Sequence, residues 1–455
     1  MNNTNIKLSR KLGLFPVTNI VIANIIGAGI FTTSGFIMGF LGNPLLMLTL
    51  WFAGGIIAFC GAIAFGELGA TFPEAGGEYI FITKLFNPLL GFLSGWLSLI
   101  VGFSAPIAAS AIGFSEYFTL AIPSLQSFLS TSGFVNPVLF KKLFSIIIIL
   151  IFTFIHSRGI VFGSRIQNVL TILKVALIAG VIVAGFTIGK GNFQHFQTES
   201  QFQFSFSGWK SIGLSLMFVM FAYSGWNSAT YIGSEIKSPQ KVIPKSLLIS
   251  TGIVMVLYLL FNTFFVYAIS PAEMTGVTEI AGLAAGNAFG QMAESVISLL
   301  ISFALISSLS AFIILGPRVY YSMTKEGYFF AFAAKVHPKN KVPVGAILLQ
   351  SSIAIILVLS GTFEQILVYM GFSLGIFPIL AVWGVFKLRL SGKSALKLPG
   401  FPVVHIIFII SGIAILILAF FERPIESSVA ILTALSGIPV FYWFKWRKIN
   451  SVLNR

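Results

Sequence analysis

The stretch Asn24–Phe31, NIIGAGIF, lies in the middle of an apolar run that is long enough to cross a membrane as one helix. Each of its two glycines weakens a helix by about 1 kcal/mol, although glycines also serve as close-packing points between membrane helices. A second cluster, Tyr223-Ser224-Gly225, lies near the centre of another apolar run, 211–236. Irregular backbone is tolerated at membrane depth only around a cavity or inside protein. The two clusters therefore predict two discontinuous helices with a binding site between them.

Composition assigns the 455-residue chain to the polytopic membrane proteins. Hydrophobic residues make up 56% of it and charged residues 9%, against about 25% charged residues in a soluble domain. The net charge of +15 does not indicate a nucleic-acid partner, because Lys and Arg accumulate on the cytoplasmic loops of membrane proteins. The chain has no Asp, one cysteine and four scattered histidines, so we expect no catalytic residue, no metal site and no cofactor.

Apolar runs between polar or Gly/Pro breaks predict twelve transmembrane helices, since roughly 20 helical residues span the hydrocarbon core. The interrupted runs are the first and the sixth, so they begin successive blocks of five. Interrupted segments in matching positions of two halves are typical of inverted-repeat transporters. We therefore predict an all-α polytopic membrane protein with a 5+5 inverted repeat and discontinuous helices 1 and 6. The single transmembrane domain, 1–455, would comprise a first repeat at 15–189, a second at 209–390 and two additional helices at 401–446. The predicted spans are 15–41, 45–71, 90–118, 142–158, 164–188, 209–235, 244–270, 286–323, 342–360, 363–389, 402–421 and 427–446.

The distribution of Lys and Arg predicts the orientation in the membrane. With the N-terminus in the cytoplasm, the inner segments hold 22 of the 28 basic residues and the outer segments five; the remaining one, Lys174, lies inside the fifth span. Such an excess on one side sets the topology of membrane proteins. We expect a multi-pass protein of the cell membrane with both termini in the cytoplasm.

The two breaks also predict a chemistry. A helix that ends near Ile26 presents unpaired carbonyls, and one that starts near Ile30 presents free N–H groups. Free amides at a helix start bind carboxylates, whereas carbonyls before the break and around Phe221 and Ala222 suit an ammonium group. Together they would recognise a zwitterion. No acidic residue is close in sequence to either break, which argues against a metal ion or a polyamine as ligand.

Five motifs, in order between residues 10 and 390, carry a family likeness. NIIGAGIF resembles the first-span signature of the amino acid–polyamine–organocation (APC) superfamily of transporters. FAYSGWN, 221–227, is similar to the sixth-span motif of its L-type amino acid transporter branch. The other three are FGELGATFPEAGGEYIFITKLFNPLLGFLSGW (65–96), SEIKSPQKVIPKSL (234–247) and LGPRVYYSMTKEGYFFAFAAKVHPKNKVP (315–343).

The resemblance implies a substrate site built largely from backbone. Amides of residues 27–29 would hold the substrate carboxylate, and the carbonyls of Ile25, Phe221 and Ser224 the amine. Phe221 would also close over the substrate as an aromatic gate, the alternative being a packing role, and Asn227 would be a polar neighbour of the site. With the residues at the helix ends, the predicted substrate-binding set is Ile25, Ile26, Gly27, Ala28, Gly29, Phe221, Ala222, Ser224 and Asn227.

This chain departs from the L-type pattern at two positions. Ala28 stands where many members have Ser, so no side-chain hydroxyl is available there for the carboxylate. Ser224 replaces a Gly, which favours smaller substrate side chains. Binding would rest on backbone groups, and a bulky residue in place of Gly29 is expected to abolish binding without unfolding the protein.

Lys174 lies deep within the fifth span, and an ionisable residue at this depth indicates a function. The matching Lys of the family sits behind the first-span break, where sodium-coupled relatives of the fold hold a cation. The resemblance implies that the ammonium group substitutes for sodium. The alternative is a purely structural Lys that pairs with carbonyls of the break.

Other polar residues carry weaker predictions. Glu67, Glu116 and Glu235 fall near helix ends and are expected to be solvated or ion-paired, with proton or substrate involvement as the alternative for Glu116. Depth in the third and eighth spans makes Ser104, Ser308 and Phe312 candidates for the wall of the pocket.

The predicted function is sodium-independent transport of neutral L-amino acids by alternating access, with exchange as the favoured mode. The alternatives are a proton-coupled amino acid symporter and a carrier of another small zwitterion or an organic cation. An integral membrane enzyme is disfavoured, because no nucleophile or metal cluster is present. Residues 119–141 contain no Cys, so the disulfide-linked heavy subunit of human-type members is not expected. The predicted partners are an amino acid substrate and the lipid bilayer.

Overall fold

The computed structural model describes residues 10–131, 136–158, 160–197, 202–335, 337 and 342–453. Both chain termini lie outside this part, and so do the centre of the 191–208 loop and part of the 315–343 motif. The α-helices are α1 (Leu14–Ile25), α2 (Ala28–Leu41), α3 (Pro44–Thr71), α4 (Glu78–Leu85), α5 (Pro88–Leu97), α6 (Ser104–Ala121), α7 (Pro123–Thr131), α8 (Pro137–Ser157), α9 (Ile160–Thr187), α10 (Phe206–Ala222), α11 (Pro239–Ala268), α12 (Pro271–Met274), α13 (Ile280–Phe289), α14 (Gln291–Lys325), α15 (Val344–Ser360), α16 (Phe363–Leu390), α17 (Val403–Glu422) and α18 (Pro424–Leu453).

Ten helical segments of the described residues are long and apolar enough to cross a membrane, and each coincides with a predicted span. The predicted spans 209–235 and 342–360 correspond instead to α10 and α15, which have 17 residues each. That is shorter than the roughly 20 residues that cross the hydrocarbon core. An all-helical, multi-pass membrane fold is confirmed, whereas the count of twelve and the inverted repeat stay predictions.

The first predicted interruption is present. α1 ends at Ile25 and α2 begins at Ala28, with Gly27 in an extended conformation at the start of α2. A tight turn joins the two helices, because the Gly27 N–H donates to the Ile25 carbonyl at 2.8 Å.

The second interruption goes further than the sequence predicts. α10 ends at Ala222, and the chain continues through turns and two short 3-10 helices, Ser228–Tyr231 and Gly233–Glu235. The second half of the predicted span 209–235 is therefore not an α-helix. One cause is Gly225, whose φ of +98° turns the chain in a way that side-chain-bearing residues rarely adopt.

The two breaks pack directly against each other through their glycines. A Cβ atom built on Gly29 would lie 2.5 Å from the Cα atom of Ala222. On the other side of the crossing, a Cβ atom built on Gly225 would lie 2.8 Å from the backbone of Asn24. The glycines thus bring two stretches of irregular backbone into contact, which places their polar groups around a common space.

Ion pairs hold the ends of the helices. Glu67 on α3 is fully buried and accepts two hydrogen bonds from the Arg389 guanidinium on α16, at 2.8 and 2.5 Å. Glu235 pairs with Arg318 at 3.0 Å, and Glu116 pairs with Lys141. The prediction that these three glutamates are ion-paired or solvated is confirmed, and each is ion-paired.

We predict that Gly29→Ala destabilises the protein, because the added methyl group meets the backbone of Ala222. Overpacking of this kind costs about 1–3 kcal/mol. Gly27→Ala is the matched control, since no atom lies nearer than 3.8 Å to a Cβ built there. Thermal unfolding of the two purified variants measures the difference, and equal midpoints would contradict the packing described. The contact with Ala222 contradicts the expectation that a bulky residue in place of Gly29 leaves the folded protein stable.

Candidate functional site

A small cavity lies where the two breaks meet, with about 240 Å³ of space including its mouth. Seven of the nine predicted substrate-binding residues line it. The exceptions are Ile26, which borders neither this cavity nor the next, and Asn227. The lining residues are Asn24, Ile25, Gly27, Ala28, Gly29, Pro106, Ser110, Phe221, Ala222, Ser224 and Phe312.

A larger cavity continues from the small one and measures about 1130 Å³ including the open space at its mouth. Asn24, Phe221, Ser224 and Phe312 border both cavities. Further walls come from the π-helical segment Ser98–Phe103, from the chain after α10, and from α16 and α17. The two cavities therefore share part of their wall, and the larger one offers most of the open space.

The start of α2 supplies the hydrogen-bond donors. The N–H groups of Ala28 and Gly29 belong to its first turn, where no intrahelical acceptor is available, and the helix dipole adds partial positive charge there. The N–H of Gly27 already donates to Ile25. The amides at this break that are left without an intrahelical acceptor are thus those of Ala28 and Gly29.

The carbonyls of the first break are largely occupied. The Ile25 carbonyl accepts from Gly27 and lies 2.8 Å from the Tyr258 hydroxyl, which is also 3.1 Å from the Ala222 carbonyl. The Ile26 carbonyl accepts from Ser308 at 2.8 Å and from Lys174. Free hydrogen-bond acceptors therefore lie elsewhere around the cavity.

Lys174 lies behind the first break and is 1% exposed. Its Nζ atom donates to the Ile26 carbonyl at 2.6 Å and to the Ser308 hydroxyl at 2.7 Å, and lies 3.4 Å from the Ala23 carbonyl. All three acceptors are neutral, and two are carbonyls that the break has released from helical pairing. The placement of Lys174 behind the break is as predicted, and Ser308 supports this contact rather than the wall of either cavity.

Asn24 is a site residue that sequence reasoning missed. Its side chain is 1% exposed and borders both cavities. The amide nitrogen donates to the Ile20 carbonyl at 2.8 Å, while the amide oxygen has no hydrogen-bond partner. Buried acceptors without a partner are rare in folded proteins, so this oxygen is a candidate ligand-binding group. The available signal was a polar residue directly before the break in an apolar run.

Asn227 borders the larger cavity rather than the small one. Its amide nitrogen donates to Glu78 at 2.7 Å and lies 3.2 Å from the Tyr231 hydroxyl. Glu78, the first residue of α4, borders the same cavity as Phe221 and Ser224. The inference that no acidic residue lies near the breaks is therefore wrong, because the fold brings this carboxylate in from a segment distant in sequence.

The remaining candidates divide between wall and scaffold. Phe312 borders both cavities, as predicted, whereas Ser104 donates to the Leu99 carbonyl at 2.6 Å and borders neither. Within the described ranges, no group of three or more His, Cys or Glu side chains is placed to hold a metal ion.

Known proteins are similar in sequence to this chain over almost its whole length. The chain is 28% identical over 452 residues to the b(0,+)-type amino acid transporter 1 of Mus musculus, which covers 97% of this chain and 89% of that protein. It is 28% identical over 449 residues to the serine/threonine exchanger SteT of Bacillus subtilis, covering 97% and 98%. It is 26% identical over 461 residues to the human cystine/glutamate transporter, covering 98% and 89%.

A family model described as amino acid permease matches residues 12–443. The match contains both breaks, Lys174 and every residue that lines the two cavities. The family and these relatives are transporters rather than enzymes. The chain belongs to the amino acid permease family of the APC superfamily, and is a multi-pass membrane protein that transports amino acids.

Proposed function

We propose that this protein exchanges neutral L-amino acids across the cell membrane, without sodium, by alternating access. The observation that carries the proposal is the small cavity between the crossed breaks, which has amide donors on one side and an unpartnered acceptor on the other. Both termini would be cytoplasmic, and the single Cys60 is buried, which supports the absence of a disulfide-linked subunit.

The substrate carboxylate would bind at the start of α2. The amides of Ala28 and Gly29 point partial positive charge at the cavity, as helix starts do for anions. Ala28 offers no hydroxyl, so backbone groups carry this contact. Gly27 contributes by forming the turn that frees the two amides.

The substrate ammonium would bind to the Asn24 amide oxygen and to carbonyls of the second break. The carbonyls of Phe221 and Ala222 each have two lone pairs, and the contacts described leave part of this capacity free. Ser224 contributes its carbonyl from the same break. Ile25 and Ile26, whose carbonyls are occupied, would hold the break in shape rather than touch the substrate. Phe221, which borders both cavities, would act as the gate.

A neutral and small substrate side chain fits the walls. The small cavity is lined by Pro106, Phe221, Phe312 and two serines, and no charged side chain of the described residues borders it. Burying an unpaired charge there would cost several kcal/mol. Ser224, which is bulkier than the Gly of the L-type pattern, narrows the passage to the larger cavity.

The contacts of Lys174 support the proposal that transport is sodium-independent. A bound sodium ion behind the break would need the carbonyl and hydroxyl oxygens that the ammonium group already uses. Spans 1, 2, 6 and 7 would rock against a scaffold of spans 3, 4, 5, 8, 9 and 10, and the Lys174 ammonium would support the break in each state.

Exchange is the proposed mode. It is supported by the similarity to a relative whose name describes an exchanger. Proton-coupled symport is the second candidate, and the buried Glu78 carboxyl beside the larger cavity favours it. A carrier of another small zwitterion or of an organic cation is a more distant alternative.

The mode is tested in proteoliposomes. We predict that vesicles preloaded with a substrate amino acid take up external amino acid faster than empty vesicles. An imposed pH gradient applied to empty vesicles is the control. Uptake that the pH gradient drives, without acceleration by preloading, would contradict exchange.

Sodium independence is tested in the same vesicles. Because an ammonium group occupies the oxygen atoms that a sodium ion would use, uptake should proceed at the same rate when external sodium is replaced by potassium. A loss of uptake in potassium would show that Lys174 does not take the place of the ion.

The role of Asn24 is tested by substitution. Hydrogen bonds to charged groups contribute about 1.5–3 kcal/mol, so Asn24→Ala should weaken binding by roughly ten- to a hundredfold. Thermal stabilisation by a panel of twenty amino acids measures binding. Asn19→Ala is the control, because Asn19 is buried on the same helix but hydrogen-bonds to Asn168 outside both cavities. No stabilisation of the unmodified protein by any amino acid would refute the proposed substrate class, and equal losses in both variants would refute the role of Asn24.

A further inference from the structure

Glu78 is a buried carboxylate on the wall of the larger cavity. It is the first residue of α4 and is 7% exposed. Its Oε1 atom accepts from the Asn227 amide at 2.7 Å and lies 3.3 Å from the Tyr231 hydroxyl. Both partners belong to the segment after α10 that is not α-helical. The Glu78 carboxyl therefore links the start of α4 to the chain that follows Phe221, the proposed gate.

The Glu78 carboxylate has no ion-pair partner among the residues that the structure describes. The buried carboxylate of Glu67 has Arg389, and Glu235 has Arg318, but no Lys, Arg or His of the described residues forms an ion pair with Glu78. Both of its hydrogen-bond partners are neutral groups.

The charged and titratable side chains described here on α4 and on α16 contact groups other than Glu78. On α4 itself, Lys84 pairs with Glu74 and the Tyr79 hydroxyl donates to Glu326 at 2.8 Å. On α16, which packs against α4, Lys387 lies over the Phe86 ring and Arg389 pairs with Glu67. The walls from α5 and the π-helical segment add Ser94 and Ser98, and the Tyr320 hydroxyl on α14 is 3.5 Å from the Ser98 carbonyl.

An ionised carboxylate in this position is costly. The effective penalty for burying a charge without a counter-ion is several kcal/mol, and two neutral donors offset only part of it. Burial therefore raises the pKa of the Glu78 carboxyl to about 7, against the lowering effect of Tyr231 and Asn227. In water-filled surroundings the same carboxyl would return to the ordinary range for Glu, near 4.3.

We propose that Glu78 is a proton-binding site of the transport cycle, protonated while Asn227 and Tyr231 cover it and ionised when the cavity opens to water on the side of the loop after α3. The proton comes from water in the cavity and returns to it, so only one O–H bond forms or breaks. This inference rests on the proposed alternating access. It adds the proton as a ligand and Glu78 as the residue that binds it.

Linkage gives the sign of the pH effect. The closed form binds the proton more tightly than the open form, so acid on this side favours the closed form. Between about pH 7 and the ordinary range of Glu, each pH unit shifts the balance by up to tenfold. Lowering the pH on this side of the membrane below 7 therefore slows opening, and with it exchange.

Glu78→Gln tests the inference by removing the titration while keeping an acceptor for Asn227. We expect exchange in the unmodified protein to fall by several-fold up to tenfold per pH unit below about pH 7 on the side of the loop after α3. Glu78→Gln should exchange at one slow rate across this range. Glu74→Gln is the matched control, because Glu74 lies on the loop just before α4, is exposed and pairs with Lys84, and its variant should keep the pH profile of the unmodified protein.

Infrared difference spectroscopy of the purified protein gives a second readout that does not require transport. Burial also raises the pKa of Glu279 to about 7, so the readout is the difference between variants. The carbonyl band of protonated carboxyls that grows as the pH falls through about 7 should lose the Glu78 contribution in Glu78→Gln and be unchanged in Glu74→Gln. A pH profile that is unchanged in Glu78→Gln, or an infrared titration of Glu78→Gln identical to that of the unmodified protein, would overturn the inference. Absence of amino acid exchange by the unmodified protein at every pH would instead refute the proposed function, and the infrared titration would still report whether Glu78 binds a proton.

Discussion

The structure depends on one constraint, which is that backbone groups freed from helical pairing at membrane depth must find partners within the protein. Lipid supplies none. The first break releases carbonyls that Tyr258, Ser308 and Lys174 take up from three other helices. Unpaired groups remain on residues that border the small cavity: two amides at the start of α2 and the amide oxygen of Asn24. The break is thus stabilised by hydrogen bonds on the side away from the small cavity, and on the cavity side it is open to a ligand.

Close contact between the two breaks makes this arrangement possible. Gly29 and Gly225 each meet backbone of the opposite segment, at distances that leave no room for a side chain. Two chains that carried side chains at these points would stand farther apart, and the donors of one break would no longer face the acceptors of the other. Glycine therefore permits close packing at this crossing, and in the proposed site a substitution at position 29 would change packing and binding together.

Buried charged groups also need partners within the protein. The ammonium of Lys174 lies among carbonyl and hydroxyl oxygens, whereas the carboxylates of Glu67, Glu116 and Glu235 each have a basic partner. Glu78 differs from these three, because its hydrogen-bond donors among the described residues are neutral. A group whose charge the fold leaves uncompensated responds to whatever reaches the cavity, water or a proton, and this makes it a natural point for coupling protonation to conformation.

The sequence by itself determined the class of protein, ten spans that coincide with long apolar helices, the interruption at residues 26–27, the end of regular helix near Ala222 and the position of Lys174 behind the break. These follow from local composition, from the cost of glycine in a helix and from the family motifs. Only the tertiary structure decided that the carbonyls of Ile25 and Ile26 are occupied, that Asn24 carries an unpartnered oxygen, and that Glu78 lies beside Asn227, 149 residues away. It also decided that the chain after Ala222 is not α-helical. The physical reason is that pairing of a polar group depends on which distant segments the fold brings within hydrogen-bond distance, and spacing along the chain does not contain that information.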